Sequence, residues 1–410
     1  MKLIRFVIIL FFLPAVLFAH DFSLAANIHT GINGVQDEDI EFNYKIDLWP
    51  SYSLLIGDNI DLLVSAGITF GMEDEEFYYI PELLQTHFTY RNGALGLRAG
   101  RMMYSDPLSY AANGLFDGLQ LNLNSGAGRF NLGAWYTGFL YKKNANITMT
   151  EDEYLYFDEP VDYNDFGNTY FAPARMIAAL GWEHPSVGEA LHLGISAIGQ
   201  FDFSDAEAPY NSQYIFIKAI VPKDSLVFKL GGSVGFFQTN VFDKEDNDNS
   251  IDVTGFSFAG EVGVSWLLPA SFLSRLTLTG KYASGKEEDS YDAYNPITTQ
   301  YMGNILNYRF SGLSVISLDY TARFAPSFGM AVNASYFIRN DLGTIKTYPV
   351  TLNNEGYFLG PEANIRFLWS PVSDVRLDFG GGVFFPSLGD AGSDEPIRFK
   401  AELKLIIGIL

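Results

Sequence analysis

The sequence predicts an all-β chain that closes into one transmembrane antiparallel β-barrel of about eighteen strands, with sixteen as the alternative. Three observations predict it. Apolar and polar residues alternate with a period of two over many segments. The connections between those segments are short and long in turn. Beyond the N-terminus no stretch stays apolar for the roughly 20 residues that a membrane-crossing helix needs. A chain with apolar outward faces and no such helix crosses a bilayer only as a closed barrel.

Residues 1–19 read as a secretory signal peptide: Lys2 and Arg5 open it, an apolar run extends from Phe6 through Phe18, and the small Ala19 marks the expected cut. Residues 20–410 then form the barrel as one domain, because no linker, low-complexity tract or internal repeat of sequence divides them. The chain has no cysteine, so an exported protein of this sequence relies on a closed network of hydrogen bonds rather than on disulfides. A composition with 39 glycines and 16% aromatic residues suits strands that bend and that carry rings at the membrane interfaces. The formal charge of −22 excludes nucleic acid as a partner, since that role needs a basic footprint.

Along the chain the alternation is explicit. Phe256, Phe258, Val262, Val264 and Trp266 share one parity, and Ser257, Ala259, Glu261 and Ser265 the other. Ile316, Leu318, Tyr320 and Phe324 alternate with Ser317, Asp319, Thr321 and Arg323. Ile365, Phe367 and Trp369 alternate with Glu362, Asn364 and Arg366, and Val375, Leu377, Phe379 and Val383 oppose Arg376 and Asp378. The last segment is the clearest: Ile397, Phe399, Ala401, Leu403, Leu405, Ile407 and Ile409 stand against Arg398, Lys400, Glu402 and Lys404. A helix would scatter those charges around its circumference, whereas a strand places them on one face.

The connections supply the topology. Gly57-Asp58-Asn59, Arg91-Asn92-Gly93, Asn124 to Gly128, Pro222 to Ser225, Ala325-Pro326-Ser327 and Pro371 to Asp374 are short turns. Between them fall longer, mostly polar or acidic segments, notably Lys143 to Phe171, Val241 to Asp252, Lys286 to Tyr308 and Asn340 to Glu355. Short periplasmic turns alternating with long extracellular loops are the pattern of an outer-membrane barrel, and an even strand number returns both chain ends to the periplasm. Trp182, Trp266, Trp369 and Phe324 near short turns, with Tyr282, Tyr336 and Tyr357 near long loops, fit two interfacial girdles.

No enzyme is expected. The five histidines, His20, His29, His87, His184 and His192, are dispersed without ligand spacing, and phosphate-loop, dinucleotide and nucleophile-elbow motifs are absent. The acidic loop from Asp243 to Asp252 lacks the sharp-turn glycine and the distal glutamate of a calcium loop, so neither a metal nor another cofactor is expected.

With the apolar parity toward outer-membrane lipid, the interior receives the charged one. Expected pore-lining residues are Arg98, Lys229, Glu261, Lys281, Asp319, Arg323, Glu362, Arg366, Arg376, Asp378, Arg398 and Lys400. Lys45, Asp47, Asp61, Arg275, Glu402 and Lys404 share that face. Basic groups slightly outnumber acids there, which concentrates the negative charge in the loops and predicts a modestly anion-favouring lumen. The connection between the fifth and sixth strands differs from its neighbours, being small and apolar where they are acidic. It is expected to fold inward as a constriction carrying Tyr104, Asp106, Tyr110 and Asn113. Arg101 and Asp117 on its flanks carry the lipid-facing parity, and Arg at the bilayer midplane costs about 2–4 kcal/mol. They are therefore expected to turn inward at a bulge or strand end, to pair, and to line the pore.

Gly100-Arg101 at the top of one strand and Phe116-Asp117-Gly118 opening the next resemble alginate-export-type outer-membrane barrels. The resemblance implies an eighteen-stranded pore with a basic constriction that passes anionic sugars or related small acids. The expected function is passive diffusion of small hydrophilic solutes, anionic ones or sugar acids among them. The alternatives are a barrel-anchored adhesin that binds a surface partner through its acidic, aromatic extracellular loops, and uptake of hydrophobic molecules through a plugged barrel. The last needs an N-terminal hatch, for which strand-like sequence from about Phe22 leaves little chain.

Overall fold

The computed structural model describes residues 19–37, 40–73, 76–149, 153, 160–188, 190–203, 209–242, 250–269, 272–286, 293–342, 356–392 and 395–409. The expected signal peptide lies outside these residues apart from Ala19, where the first strand begins, and residues 243–249 of the acidic loop also lie outside them.

The first half of the chain forms β1 (Ala19–Val35), β2 (Glu41–Ile56), β3 (Ile60–Glu73), β4 (Glu76–Asn92), β5 (Leu95–Ser105), β6 (Asn113–Ser125), β7 (Gly128–Tyr136), β8 (Arg175–Val187) and β9 (Leu191–Asp202). The second half forms β10 (Asn211–Lys223), β11 (Leu226–Phe242), β12 (Ser250–Leu268), β13 (Leu273–Ala283), β16 (Leu313–Ala325), β17 (Phe328–Arg339), β18 (Phe358–Val372), β19 (Val375–Phe384) and β20 (Arg398–Gly408). A two-residue hairpin of β14 (Tyr301–Met302) and β15 (Tyr308–Arg309) stands apart inside one loop. Every barrel strand pairs antiparallel with its neighbours in sequence, and β1 pairs with both β2 and β20, so the 18-stranded sheet closes on itself. Eighteen strands about 4.8 Å apart and tilted by about 40° close into a cylinder of roughly 18 Å backbone radius, wide enough to need filling.

The period-two pattern decides the faces. Leu230, Val262, Leu278, Phe256, Ile316 and Phe379 are exposed on the outside, while Asp47, Glu261, Glu362 and Asp378 are buried on the inside. Trp182 donates its indole N–H to the Ala127 carbonyl at 2.7 Å, beside a short turn, and Trp266, Trp369 and Phe324 stand exposed near the same end. The expected short turns all join consecutive strands. One long connection is shorter than expected: β11 and β12 pair through Phe242 and Ser250, so their ladder consumes both flanks of the segment 241–252.

The two main clusters of buried apolar residues form where long loops fold back into the cylinder. One joins Met102, Leu108, Tyr110, Phe116, Trp135, Leu140, Ile147, Tyr214, Tyr294 and Ile297, and the other joins Ile305, Leu306, Leu313, Phe337, Leu359 and Phe384. The loop 137–174 contributes α1 (Lys142–Ala145) and α2 (Phe166–Thr169).

Candidate functional site: the lumen and its infolded loops

The loop from Asp106 to Ala112 leaves the wall between β5 and β6 and crosses the lumen. Its local fold is set by Asp106, whose Oδ1 accepts the backbone N–H of Leu108 at 2.9 Å and of Tyr110 at 3.3 Å, and whose Oδ2 accepts those of Ala111 and Ala112 at 2.8 Å each. Burial pushes this carboxyl up from its ordinary range, and the four N–H groups oppose that shift. Tyr110 reaches β12, where its hydroxyl donates to Glu261 Oε2 at 2.9 Å, and Lys281 Nζ lies 5.7 Å from the centre of its ring. Burial and the neighbouring Glu261 push the Tyr110 phenol up, so it remains a donor. Lys218 on β10 donates to the Pro107 carbonyl at 2.7 Å. Leu108 packs over Gly231, where an added Cβ would stand 2.5 Å from Leu108 Cδ2, so glycine leaves the seat for the loop. Tyr104 packs on Trp135, ring centres 4.1 Å apart, and the Asn113 N–H donates to Thr298 Oγ1 at 2.9 Å.

That last contact belongs to a second infolded loop, which sequence reasoning placed in solvent. Within residues 284–312, Thr298 donates its N–H to the Ala111 carbonyl at 2.9 Å, and Tyr294 and Ile297 are fully buried. Residues 297–299 are in turn laddered to 146–148 of the loop after β7. Glu362 anchors the far end of this loop: its carboxylate accepts the backbone N–H of Asn304 at 2.6 Å, of Ile305 at 3.1 Å and of Leu306 at 2.9 Å. Glu362 therefore braces a loop rather than presenting a free charge. The available signal was the apolar set Tyr294, Ile297, Ile305 and Leu306 inside an otherwise polar connection. The Arg175, Glu153 and Asp202 cluster was missed as well; it ties the loop after β7 to the ends of β8 and β9.

Beneath the infolded loops lies a cavity of about 690 Å³ lined by Lys229, Glu261, Arg275, Lys281, Asp319, Glu362 and Arg366 together with Ser, Thr and Asn side chains. Arg98 and Tyr104 line a separate cavity of about 270 Å³ on the other side of the first loop. Arg275, Arg323 and Arg376 line a third near the short-turn end.

The charges in these spaces are unequally paired. Glu261 is held by Lys229, Asp378 takes both arms of Arg366, Asp47 lies 3.3 Å from Lys45, and Glu402 is shared by His29, Lys400 and Lys404 at 3.3–3.8 Å. Asp319 accepts from Asn333 at 2.8 Å. Arg398 is buried at the extracellular end, 3.4 Å from Glu395. Among the described residues, no carboxylate lies within 4.0 Å of Lys281, Arg98, Arg275, Arg323 or Arg376. These five cations have no fixed counter-ion among the described residues.

Arg101 and Asp117 pair at 2.9 and 2.7 Å, but they do not turn inward. The β5–β6 register runs without a shift through Arg101↔Asp117, so both keep the outward parity of Ala99 and Leu119 instead of entering the pore. Strand β4 and the loop after β7 satisfy Arg101 from outside: it also donates to the carbonyls of Leu83 at 2.6 Å and Phe139 at 2.8 Å, and only 5% of its surface remains exposed. A cover over the outer face, rather than a bulge, removes the charge from lipid.

A closed, even-stranded antiparallel cylinder with an apolar outer face defines an outer-membrane β-barrel. Solved structures of this fold are similar over nearly the whole chain. The Pseudomonas aeruginosa protein OccK2 (OpdF) in complex with glucuronate superposes with a TM-score of 0.59 at 12% identity, covering 95% of this chain and 98% of that one. The outer-membrane protein OpdK of the same organism gives 0.56 at 12% identity, covering 95% and 98%. Its OprD gives 0.55 at 13% identity, covering 96% and 95%. No family model matches the sequence, and no curated protein matches it.

Proposed function

We propose that the barrel is a diffusion channel for small hydrophilic anions, with sugar acids as the fitting class. One observation carries the reading: Asp47, Glu261, Asp378 and Glu402 are held by bases and Glu362 by loop N–H groups, whereas Lys281, Arg98, Arg275, Arg323 and Arg376 have no carboxylate partner among the described residues. Unmatched positive charge in a low-dielectric wall raises the local anion concentration and sets the sign of the permeant ion. The loop from Asp106 to Ala112 serves as the constriction, and Ser, Thr and Asn side chains beside the cations supply hydroxyl and amide partners for a sugar. Two likenesses support the class: the short Gly100-Arg101 and Phe116-Asp117-Gly118 pattern resembles alginate-export-type barrels, and one solved structure of the same fold holds glucuronate. The test is the reversal potential of single channels in a potassium chloride gradient, paired with liposome swelling in glucuronate and in glucose. Chloride-side reversal and faster glucuronate entry are expected; cation selectivity, or no steady current at all, overturns the reading.

A further inference from the structure

The wall of the barrel is interrupted between β4 and β5. Strand β4 pairs with β5 only from Thr86↔Arg101 to Asn92↔Leu95, yet β4 continues upward for ten further residues, 76–85, bonded to β3 on one side alone. β5 runs four residues past its last pair with β4, to Ser105, bonded to β6 alone, before the loop between them turns into the lumen. Pro81 fits such an edge, since it has no N–H to offer a partner. Gly100 marks the lower corner, with φ +116 and a hypothetical Cβ only 2.3 Å from the Thr86 carbonyl, so the two strands close tightly there before parting.

Side chains, not a ladder, seal the gap. The carbonyls of Tyr79, Pro81 and Leu83 face it and accept, in order, the hydroxyl of Tyr163, the hydroxyl of Tyr170 at 2.7 Å and the guanidinium of Arg101 at 2.6 Å. Tyr163 stacks flat on Tyr79, centres 4.8 Å apart, and Asn144 donates to Glu82 at 2.6 Å. Among the described residues no backbone-to-backbone bond joins β4 above Thr86 to the loop that covers it. Six residues of tilted strand put the foot of the gap roughly 15 Å above the periplasmic end of β4, within an apolar band about 25 Å tall. Both sides of the seal are apolar. Phe77, Tyr79, Leu83, Met103, Phe139 and Phe171 are exposed outside, and Met102, Phe116, Trp135 and Leu140 are buried behind it.

We propose that this seam is a lateral port that takes an amphipathic molecule from the outer leaflet into the barrel, one with an apolar body and hydroxyl donors at its polar end. The donors are required because displaced tyrosines leave backbone carbonyls bare in hydrocarbon, which nothing but another donor offsets. The Arg101–Asp117 pair is the hinge pin at the foot, holding the covering loop by the Phe139 carbonyl while the tyrosine latch swings. The port is separate from the axial anion path at Lys281, Arg275, Arg323 and Arg376, whose cavities contain none of the seal residues, and Arg98 alone shares a cavity with Met103 and Trp135.

The protein has no cysteine, so an introduced pair reacts alone. Glu82→Cys with Asn144→Cys, joined by a short bifunctional thiol reagent, locks the covering loop onto β4. The full chain in phospholipid vesicles is then exposed to a phenol bearing an alkyl-diazirine tail, and adducts are mapped by mass spectrometry. Adducts at Met102, Phe116 or Leu140 in the unbridged protein, lost on bridging while the potassium chloride current persists, are the expected result. Tyr163→Phe with Tyr170→Phe keeps the test open should the bridged protein fail to fold: loss of two net hydrogen bonds favours the open seam by about thirtyfold, read as more inner adducts. Equal inner labelling with and without the bridge, labelling confined to Leu83 and Phe139, or no rise in the phenylalanine variant overturns the port. A bridge that also abolishes the axial current overturns its independence.

Discussion

Replacing Asp106 with Ala tests whether the constriction is held by one carboxylate. The substitution removes the acceptor of four backbone N–H groups, three of them at 2.8–2.9 Å and one at 3.3 Å. Hydrogen bonds to a charged group contribute about 1.5–3 kcal/mol each, and lumenal water replaces part of that, so the seated loop loses about 3–6 kcal/mol. At 1.4 kcal/mol per factor of ten, the ratio of seated to displaced loop falls by about two to four orders of magnitude. The remaining ties, Tyr110 to Glu261, Lys218 to Pro107 and Thr298 to Ala111, then hold a segment without a fixed local shape. Single-channel recording of Asp106→Ala should show a larger mean current broken by frequent steps. Asp106→Asn, which keeps one oxygen for two of the donors, should fall between the variant and the parent. Parental current and parental noise in Asp106→Ala would refute the carboxylate as the organiser of this loop.

Three further outcomes follow from the same geometry. Asp117→Ala leaves the buried Arg101 guanidinium with carbonyl partners alone, which costs about 3–5 kcal/mol by the usual value for one broken buried pair; the folded barrel should lose its compact gel mobility at a lower temperature, and its current noise should rise. Lys281→Glu places a carboxylate beside Glu261 and removes an unmatched cation, so the reversal potential should move toward cation selectivity, whereas a parental value contradicts the anion reading. Glu362→Ala deletes the acceptor for Asn304, Ile305 and Leu306, and the second infolded loop should become accessible to added protease; continued resistance argues that apolar burial of Ile305 and Leu306 suffices.

On the proposed reading, an anion entering from outside would pass the acidic loops first, then the constriction, and then the cavity with Lys281 and Arg275. Acidic connections outside and unpaired cations inside would give that proposed path a field that drops in one direction, so currents should be unequal at opposite voltages and should equalise at high salt, where the screening length shrinks to a few ångströms.

The fold was legible in the sequence because strand alternation is a local property. Leu403 and Leu405 face lipid, and Glu402 and Lys404 the lumen, whatever the rest of the chain does, since successive side chains of a strand point to opposite faces. The turns Gly57-Asp58-Asn59 and Pro371 to Asp374 were equally legible from residue type. Which loops enter the cylinder was not. The segment 284–312 reads as polar until Thr298 meets Ala111, more than 180 residues away, and Glu362 meets Asn304. Arg101 and Asp117 show the same divide: their pairing and lipid-facing parity are written in the sequence, but the means of burial is not. Contacts from Leu83 and Phe139, brought together only when the barrel closes, cover the pair from outside and make an inward turn unnecessary. Sequence by itself determined a two-faced wall; only the closed tertiary structure decided how that wall is filled, where it is open, and which of its charges remain unmatched.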